Sequence, residues 1–318
     1  MVKIIAEFCQ NHKGDRCLLQ EMIHSAAENG ASYGKIQSMW VKDLTRRERF
    51  ELGATKADGT TAVIKRPFAL EYNRLESLEL SLEDHRWFIE ECRKVSLVPF
   101  TTVFTIGTIR EVSSLPWFQQ MVKIASYDCA SLPFLQELIQ SFDTLFVSTG
   151  ATMGQELKDA AKVLEGTNFV FFHCVTSYPN TLDNCHLSRL EYLRGYSKEV
   201  GWSDHTHVAR DGICASKVAI ALGANYVERH FTLRPAAETK DGPISVTPQQ
   251  VKELHEFSRR SKDEQWEEIE EAIPDYQRLL GQPDRQLTNE ELLNRDYYRG
   301  RFATHKDGTP RFNWETES

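Results

Sequence analysis

No stretch of the 318 residues approaches the roughly 18 consecutive apolar residues of a membrane-spanning helix. Positive charge is also in deficit: 38 Lys and Arg stand against 46 Asp and Glu, a formal charge of −8. A general nucleic-acid binder would need a cationic face, so that class is excluded, and no membrane partner is expected. Cysteine is sparse and odd in number (Cys9, Cys17, Cys92, Cys129, Cys174, Cys185, Cys214), scattered through apolar segments. Such spacing predicts reduced thiols in a cytoplasm rather than a disulfide framework. The start, Met1-Val-Lys-Ile-Ile-Ala-Glu7, meets a carboxylate before a signal-peptide core could form, which again predicts a cytoplasmic protein. Internal repeats and low-complexity segments are lacking, as is a GxGxxG turn after the first apolar run.

What is present is a rhythm. Short β-branched or aromatic runs at 3–9, 34–38, 98–104, 122–126, 144–149, 169–175, 200–205 and 226–232 predict eight strands. Helix-period stretches alternate with them at 16–29, 82–95, 106–115, 133–140, 155–164, 187–193 and 208–222. A last helix starts at Thr247-Pro248, a cap followed by a first-turn proline. Gly30 and Gly223 end helices in the same way, each leading straight into a strand. Eight such units predict a (β/α)₈ TIM barrel over residues 1–260, ahead of a doubly wound open sheet. A long loop, 39–80, interrupts the pattern after the second strand, and 261–318 predicts a helical and extended tail in contact with a partner subunit.

In a closed barrel, residues two apart on a strand face the same way, and the C-terminal strand ends open onto the active site. Every predicted end here carries polar groups: Glu7 and Cys9; Lys35 and Gln37; Thr101 and Thr102; Lys123 and Ser126; Ser148 and Thr149; His173; Ser203 and His205; Glu228 and His230. One such group could be structural, but eight in register predict a site. Lysines with hydroxyls suit a phosphate or carboxylate, and histidine with carboxylate or thiolate suits a divalent metal.

These ends carry a resemblance. Ala6-Glu-Phe-Cys-Gln-Asn-His-Lys-Gly14, Gly34-Lys-Ile-Gln37, Val122-Lys-Ile-Ala-Ser126, Val147-Ser-Thr-Gly150, His173-Cys-Val-Thr-Ser-Tyr-Pro179, Gly201-Trp-Ser-Asp-His-Thr206 and Glu228-Arg-His-Phe-Thr-Leu233 occur in order. They resemble the AEIGxNHNG, VKFQ, YKIGS, STG, HCTSNYP, GxSDHT and EKHFTL segments of the N-acetylneuraminate (sialic acid) synthase family. The resemblance covers roughly residues 3–250. It implies condensation of phosphoenolpyruvate with an open-chain N-acyl amino sugar, giving a sialic-acid-like 2-keto-3-deoxy acid and phosphate. It further implies that Lys35, Thr102, Lys123, Ser126, Ser148 and Ser203 hold phosphoenolpyruvate. His205 and His230 would bind a divalent metal, Mn²⁺ first, with Mg²⁺, Co²⁺ or Zn²⁺ as alternatives. Glu7 would sit beside the metal and the aldehyde, and Gln37, Ser177, Tyr178 and Asp241 would line the sugar pocket. Glu7, Lys35, Lys123, His205 and His230 are thereby the expected catalytic set, in a homodimer.

Three departures stand out. Lys240-Asp-Gly-Pro-Ile-Ser245 places its aspartate ahead of Gly-Pro where the family has GPDHxxS, and Ser177 replaces an asparagine. The family's antifreeze-like domain is represented only by a short tail whose Arg299-Gly-Arg301 would cap a partner's cavity. A second, deeper likeness is to metal-dependent deoxy-octulosonate phosphate synthases, whose metal is held by Cys, His, Glu and Asp. It adds Cys9, Glu228 and Asp241 to the metal candidates and makes His207 an alternative to His205, since both have the same strand parity. The KANR-type loop of those enzymes is absent. Other functional readings are a metal-dependent aldolase or lyase of keto-deoxy sugar acids, or a non-catalytic sugar-acid-binding barrel.

Plainer roles are expected elsewhere. Asn11-His-Lys-Gly14 belongs first to the motif above, with a plain turn as its lesser alternative, and Cys129, Cys174 and Cys214 read as apolar fillers. Trp40 and Trp87 read as core, and 262–271 as a solvated helix face. His173 is at most a pocket wall. Ser203-Asp204-His205 is no hydrolase triad, because neighbours on a strand point opposite ways.

Overall fold

The computed structural model describes residues 2–316. Its centre is a closed barrel of eight parallel strands, here β1 (Lys3–Glu7), β2 (Tyr33–Ser38), β3 (Val98–Val103), β4 (Met121–Ile124), β5 (Thr144–Ser148), β6 (Asn168–Cys174), β7 (Glu199–Asp204) and β8 (Tyr226–His230). Each pairs with its sequence neighbour, and β8 closes onto β1 with Glu7 opposite His230. Helices follow the strands, which makes this a TIM barrel, as the alternation of patterns predicts.

Alternation also layers the interior. Ile5, Tyr33, Phe100, Met121, Phe146, Phe172 and Tyr226 form one apolar cluster inside the barrel. Two residues further along those strands stand Glu7, Lys35, Thr102, Lys123, Ser148, Cys174 and Glu228, so the inward row turns polar in one step. On β7 the apolar level is held by Gly201, where a Cβ would lie 2.4 Å from the Phe172 ring. The opposite parity (Ile4, Ala6, Phe8, Ile36, Val122, Val147, Phe171, Val200, Val227) joins the large core between barrel and helices. Thr101 takes that outward parity and bonds Ser38, away from the site.

Two predicted helices are broken. Residues 106–115 divide into a 3₁₀ turn, Ile106–Thr108, and a short helix, Ile109–Ser113. Residues 208–222 divide at Gly212, whose φ of 58° no helix accommodates, into Val208–Asp211 and Cys214–Ala221. The long loop carries structure of its own: a hairpin (Ala54–Thr55 with Thr61–Val63) and a helix, Phe68–Glu76. The helix at Pro248–Ser258 has the expected Thr247 cap, closed by Gln250 into a capping box. The acidic stretch is the helix Lys262–Ala272. Beyond it, a helix (Asn289–Tyr298) and the turn through Phe302 fold over the mouth of this chain's own barrel, followed by a small hairpin (Thr304–Lys306 with Thr309–Arg311). Among the described residues no helix is long and apolar enough to cross a membrane.

Candidate active site

The C-terminal strand ends open into a cavity of about 350 Å³. Glu7, Cys9, Lys35, Gln37, Thr102, Lys123, Ser126, Ser148, Tyr178, Ser203, His205, Glu228, His230 and Asp241 all line it. The structure therefore brings together nearly every residue singled out above. Ser177 and His207 are not among the lining residues. The Ser177 hydroxyl turns to Pro179 O at 3.3 Å, and His207 caps the helix Val208–Asp211 by accepting from Arg210 N at 3.3 Å. His173 is no pocket wall either: its Nε2 donates to Cys185 O at 2.7 Å while the ring packs on Trp202.

At the floor, two lysines share two carboxylates. Lys35 Nζ is 2.7 Å from Glu7 Oε2 and 3.6 Å from Glu228 Oε2, and donates to Thr102 Oγ1 at 3.0 Å. Lys123 Nζ donates to both Glu228 oxygens, at 2.9 and 2.8 Å, and Ser203 Oγ donates to Oε1 at 2.7 Å. All four charged groups are buried. Burial would raise the Glu228 carboxyl, but Lys123 and Lys35 outweigh it and hold it well below the usual range. Glu7 goes the other way. Burial pushes it up to about 7 against the pull of Lys35, with the Glu228 charge adding to the rise. Burial lowers Lys123, whereas Glu228 and Glu7 overcome the same penalty and raise Lys35. Glu228 thus carries the negative charge of the floor, and Glu7 is the group poised to hold a proton. With both its oxygens on the lysines and Ser203, Glu228 is occupied as a counter-charge rather than free as a metal ligand.

One wall holds a different chemistry. Cys9 Sγ donates to Asp241 Oδ2 at 3.1 Å, and ligand atoms of Cys9, His230 and Asp241 all lie within 4.8 Å of one another. The His230 Nδ1 is buried with no hydrogen-bond partner, and burial pushes its imidazole down to about 4, so the ring is neutral. His205 stands beside it, ring centroids 5.6 Å apart. Its Nδ1 donates to Val175 O at 2.9 Å, which leaves the Nε2 lone pair facing Ser203 at 3.5 Å. His205 is outside the three-residue ligand group. Cys9 adopts φ 43°, a left-handed conformation that favours glycine. Asn11 secures this wall: its Nδ2 donates to Phe231 O and Ser245 Oγ at 2.9 and 2.8 Å, tying the first loop to the segment after Asp241.

Sequence reasoning passed over several lining residues. Cys174, read as a filler, faces the cavity with Sγ 3.0 Å from Ser126 Oγ. Asp128 lines it too, its carboxyl raised to about 6 by burial against the hydrogen bonds of Asn313 and Ser131. Tyr298, Arg301 and Phe302 come from the tail. Arg301 lines the cavity of its own barrel and pairs with Glu71 of the long loop. The Arg-Gly-Arg stretch was the only signal for this, and no local pattern says which barrel it covers. Arg66 and Lys240 add two cations to the cavity wall.

Comparison with known proteins agrees with this architecture. A family profile described as the NeuB family matches residues 22–268. The N,N'-diacetyllegionaminic acid synthase of Campylobacter jejuni is 30% identical over 79% of this chain and 73% of its own length. The pseudaminic acid synthase of Helicobacter pylori is 26% identical over 81% of this chain and 74% of its own. Among solved structures, the N-acetylneuraminic acid synthetase of Leptospira borgpetersenii, crystallised with citrate, superposes with a TM-score of 0.68 at 23% identity, over 86% of this chain and 93% of that one. With more than three-quarters of its length matched and its strand ends converging on one cavity, the chain belongs to the NeuB family.

Proposed function

We propose that this protein condenses phosphoenolpyruvate with an open-chain N-acyl amino sugar, giving a sialic-acid-like 2-keto-3-deoxy acid and phosphate. The observation that carries the reading is the convergence of Lys35 and Lys123 on one carboxylate, Glu228, across a cavity whose wall holds Cys9, His230 and Asp241. Phosphoenolpyruvate carries several negative charges, and charge-assisted bonds from two ammonium groups offset its desolvation. Lys35, Lys123, Thr102 and Ser203 would hold the carboxylate end, and Ser126 and Ser148, beside Gly150 N–H, the phosphate. Carbon 3 of the enol forms a bond to the sugar aldehyde carbon. Water adds at carbon 2, the bond from carbon 2 to the phosphate oxygen breaks, and phosphate leaves. Glu7 takes or returns the proton at its carboxyl oxygens, for which a pKa near 7 suits it. Gln37, which donates to Glu7 Oε1 at 3.1 Å, and Tyr178, packed on His205, would border the sugar.

The wall fits a divalent metal: the orphaned His230 nitrogen, the Asp241 carboxylate and the Cys9 sulfur form a donor set, with His205 adjacent. When bound, the metal would act as a Lewis acid toward the aldehyde oxygen. Manganese remains the family expectation, while a sulfur donor shifts preference toward Co²⁺ or Zn²⁺ and away from Mg²⁺. The strained φ of Cys9 supports a retained function for its side chain. Co²⁺-loaded protein is expected to show a sulfur-to-cobalt charge-transfer band in the near ultraviolet, lost in Cys9→Ser; an unchanged band would remove Cys9 from the set.

The reading extends to a cytoplasmic homodimer; the seven cysteines are all free, as a reducing compartment leaves them. The direct test is a screen of N-acylated aldoses with phosphoenolpyruvate, read by phosphate release and product mass. Phosphate release together with a nine-carbon keto acid is the expected result. Pyruvate release from a keto-deoxy acid, without phosphoenolpyruvate, would instead make it a lyase. Ligand-induced stabilisation with no turnover would make it a binding barrel.

A further inference from the structure

The tail does more than roof the cavity. Where β5 and β6 end, Gly150 and Cys174 approach so closely that a Cβ on Gly150 would lie 2.7 Å from Cys174 Sγ and 3.0 Å from Cys174 O. One buried guanidinium spans this junction: Arg285 Nη2 donates to Gly150 O at 3.3 Å and to Cys174 O at 3.4 Å. Its charge is met by Glu291, which is fully buried, with Nη1 donating to Oε2 at 2.6 Å. The same tail helix makes further backbone contacts here. Thr176 N donates to Glu291 Oε1 at 3.3 Å, Asn294 Nδ2 donates to Thr176 O at 2.8 Å, and Arg295 donates to Ala151 O while pairing with Glu156. On the cavity side of the junction, Gly150 N donates to Ser126 Oγ at 3.2 Å. A buried ion pair adds little net stability over apolar residues of the same size, so its value here is geometric.

We infer that Arg285 and Glu291 are positioning residues for the turn after β5. By holding the Gly150 and Cys174 carbonyls outward, they keep Gly150 N–H on Ser126 Oγ and so fix Ser126 and Ser148 in place at the cavity wall. The tail is thereby part of this chain's own anion-binding apparatus. This rests on the reading that the Ser126–Ser148 end of the cavity receives the phosphate of phosphoenolpyruvate.

The test uses the full chain. Arg285→Met with Glu291→Leu removes both charges together, so no buried carboxylate is left unpaired, and Arg285→Lys keeps the charge but not the fork. Calorimetric titration with phosphoenolpyruvate should show Kd raised about tenfold or more in the double variant, while KM for the sugar moves less than about threefold. The lysine variant should fall between. Amide exchange over residues 148–152 should quicken while the barrel strands keep their protection. A folded double variant with wild-type phosphoenolpyruvate affinity, or with unchanged exchange over 148–152, would overturn the inference. Wild-type protein that binds no phosphoenolpyruvate would instead overturn the functional reading, and exchange alone would then decide whether the clamp exists.

Discussion

Purified His230→Ala should lose about three orders of magnitude in turnover, roughly 4 kcal/mol of transition-state stabilisation, while its melting temperature stays level or rises. The two halves of that expectation have one cause. The His230 ring is buried at the end of β8 with Nδ1 unsatisfied, and a buried polar atom without a partner costs stability unless a ligand takes its lone pair. Alanine removes that cost along with the donor. Phosphoenolpyruvate affinity should change little, because Lys35 and Lys123 pair with Glu7 and Glu228 rather than with His230. Steady-state phosphate release, circular-dichroism melting and phosphoenolpyruvate titration on one preparation separate these effects. Turnover within tenfold of wild type in a folded variant would defeat the metal assignment.

The second large effect is on stability. Arg229 stands between Glu228 and His230 on β8 but points outward, where it forms a fully buried ion pair with Asp204 of β7. Its guanidinium also donates to Thr206 Oγ1 and to Ile244 O, at 3.1 Å each, and Asp204 accepts from Ser216 Oγ and from Thr206 N and Oγ1. Burial would raise the Asp204 carboxyl, but Arg229 and these donors lower it, so it is ionised. Arg229→Met should therefore cost about 3–5 kcal/mol, since it strands a charge in the core. The double variant Arg229→Met with Asp204→Leu should recover most of it. By contrast, cutting the exposed Arg16–Asp84 pair should cost less than about 1 kcal/mol. Urea midpoints for the three variants decide the matter. A single-variant loss below 1 kcal/mol would show that the pair's neighbours, not its charges, hold β7 to β8.

How much of this was legible varies residue by residue. The step from Ile5 to Glu7, Tyr33 to Lys35, Met121 to Lys123 and Tyr226 to Glu228 is written in the alternation, so barrel, inward row and the two lysines follow from local pattern. Alternation could not choose between His205 and His207, which share parity. The strand stops at Asp204, and the chain then turns so that His207 serves as a helix cap. Nor could it pair Cys9 with Asp241, 232 positions away, or show that Glu228 is already engaged by Lys123 and Ser203. Cys174 looked apolar because its neighbours are, yet its parity faces the cavity.

By itself, then, the order of residues determined the eight-unit barrel, the polar mouth and the residue types gathered there, because strand and helix periods are local and repeat eight times. Tertiary structure alone decided which donors meet at the Cys9–His230–Asp241 wall, which carboxylate answers the lysines, and that Arg285, Glu291 and Arg301 close over their own barrel. Those contacts join loops far apart in the chain through single hydrogen bonds and ion pairs, and such bonds leave no periodic trace in a sequence.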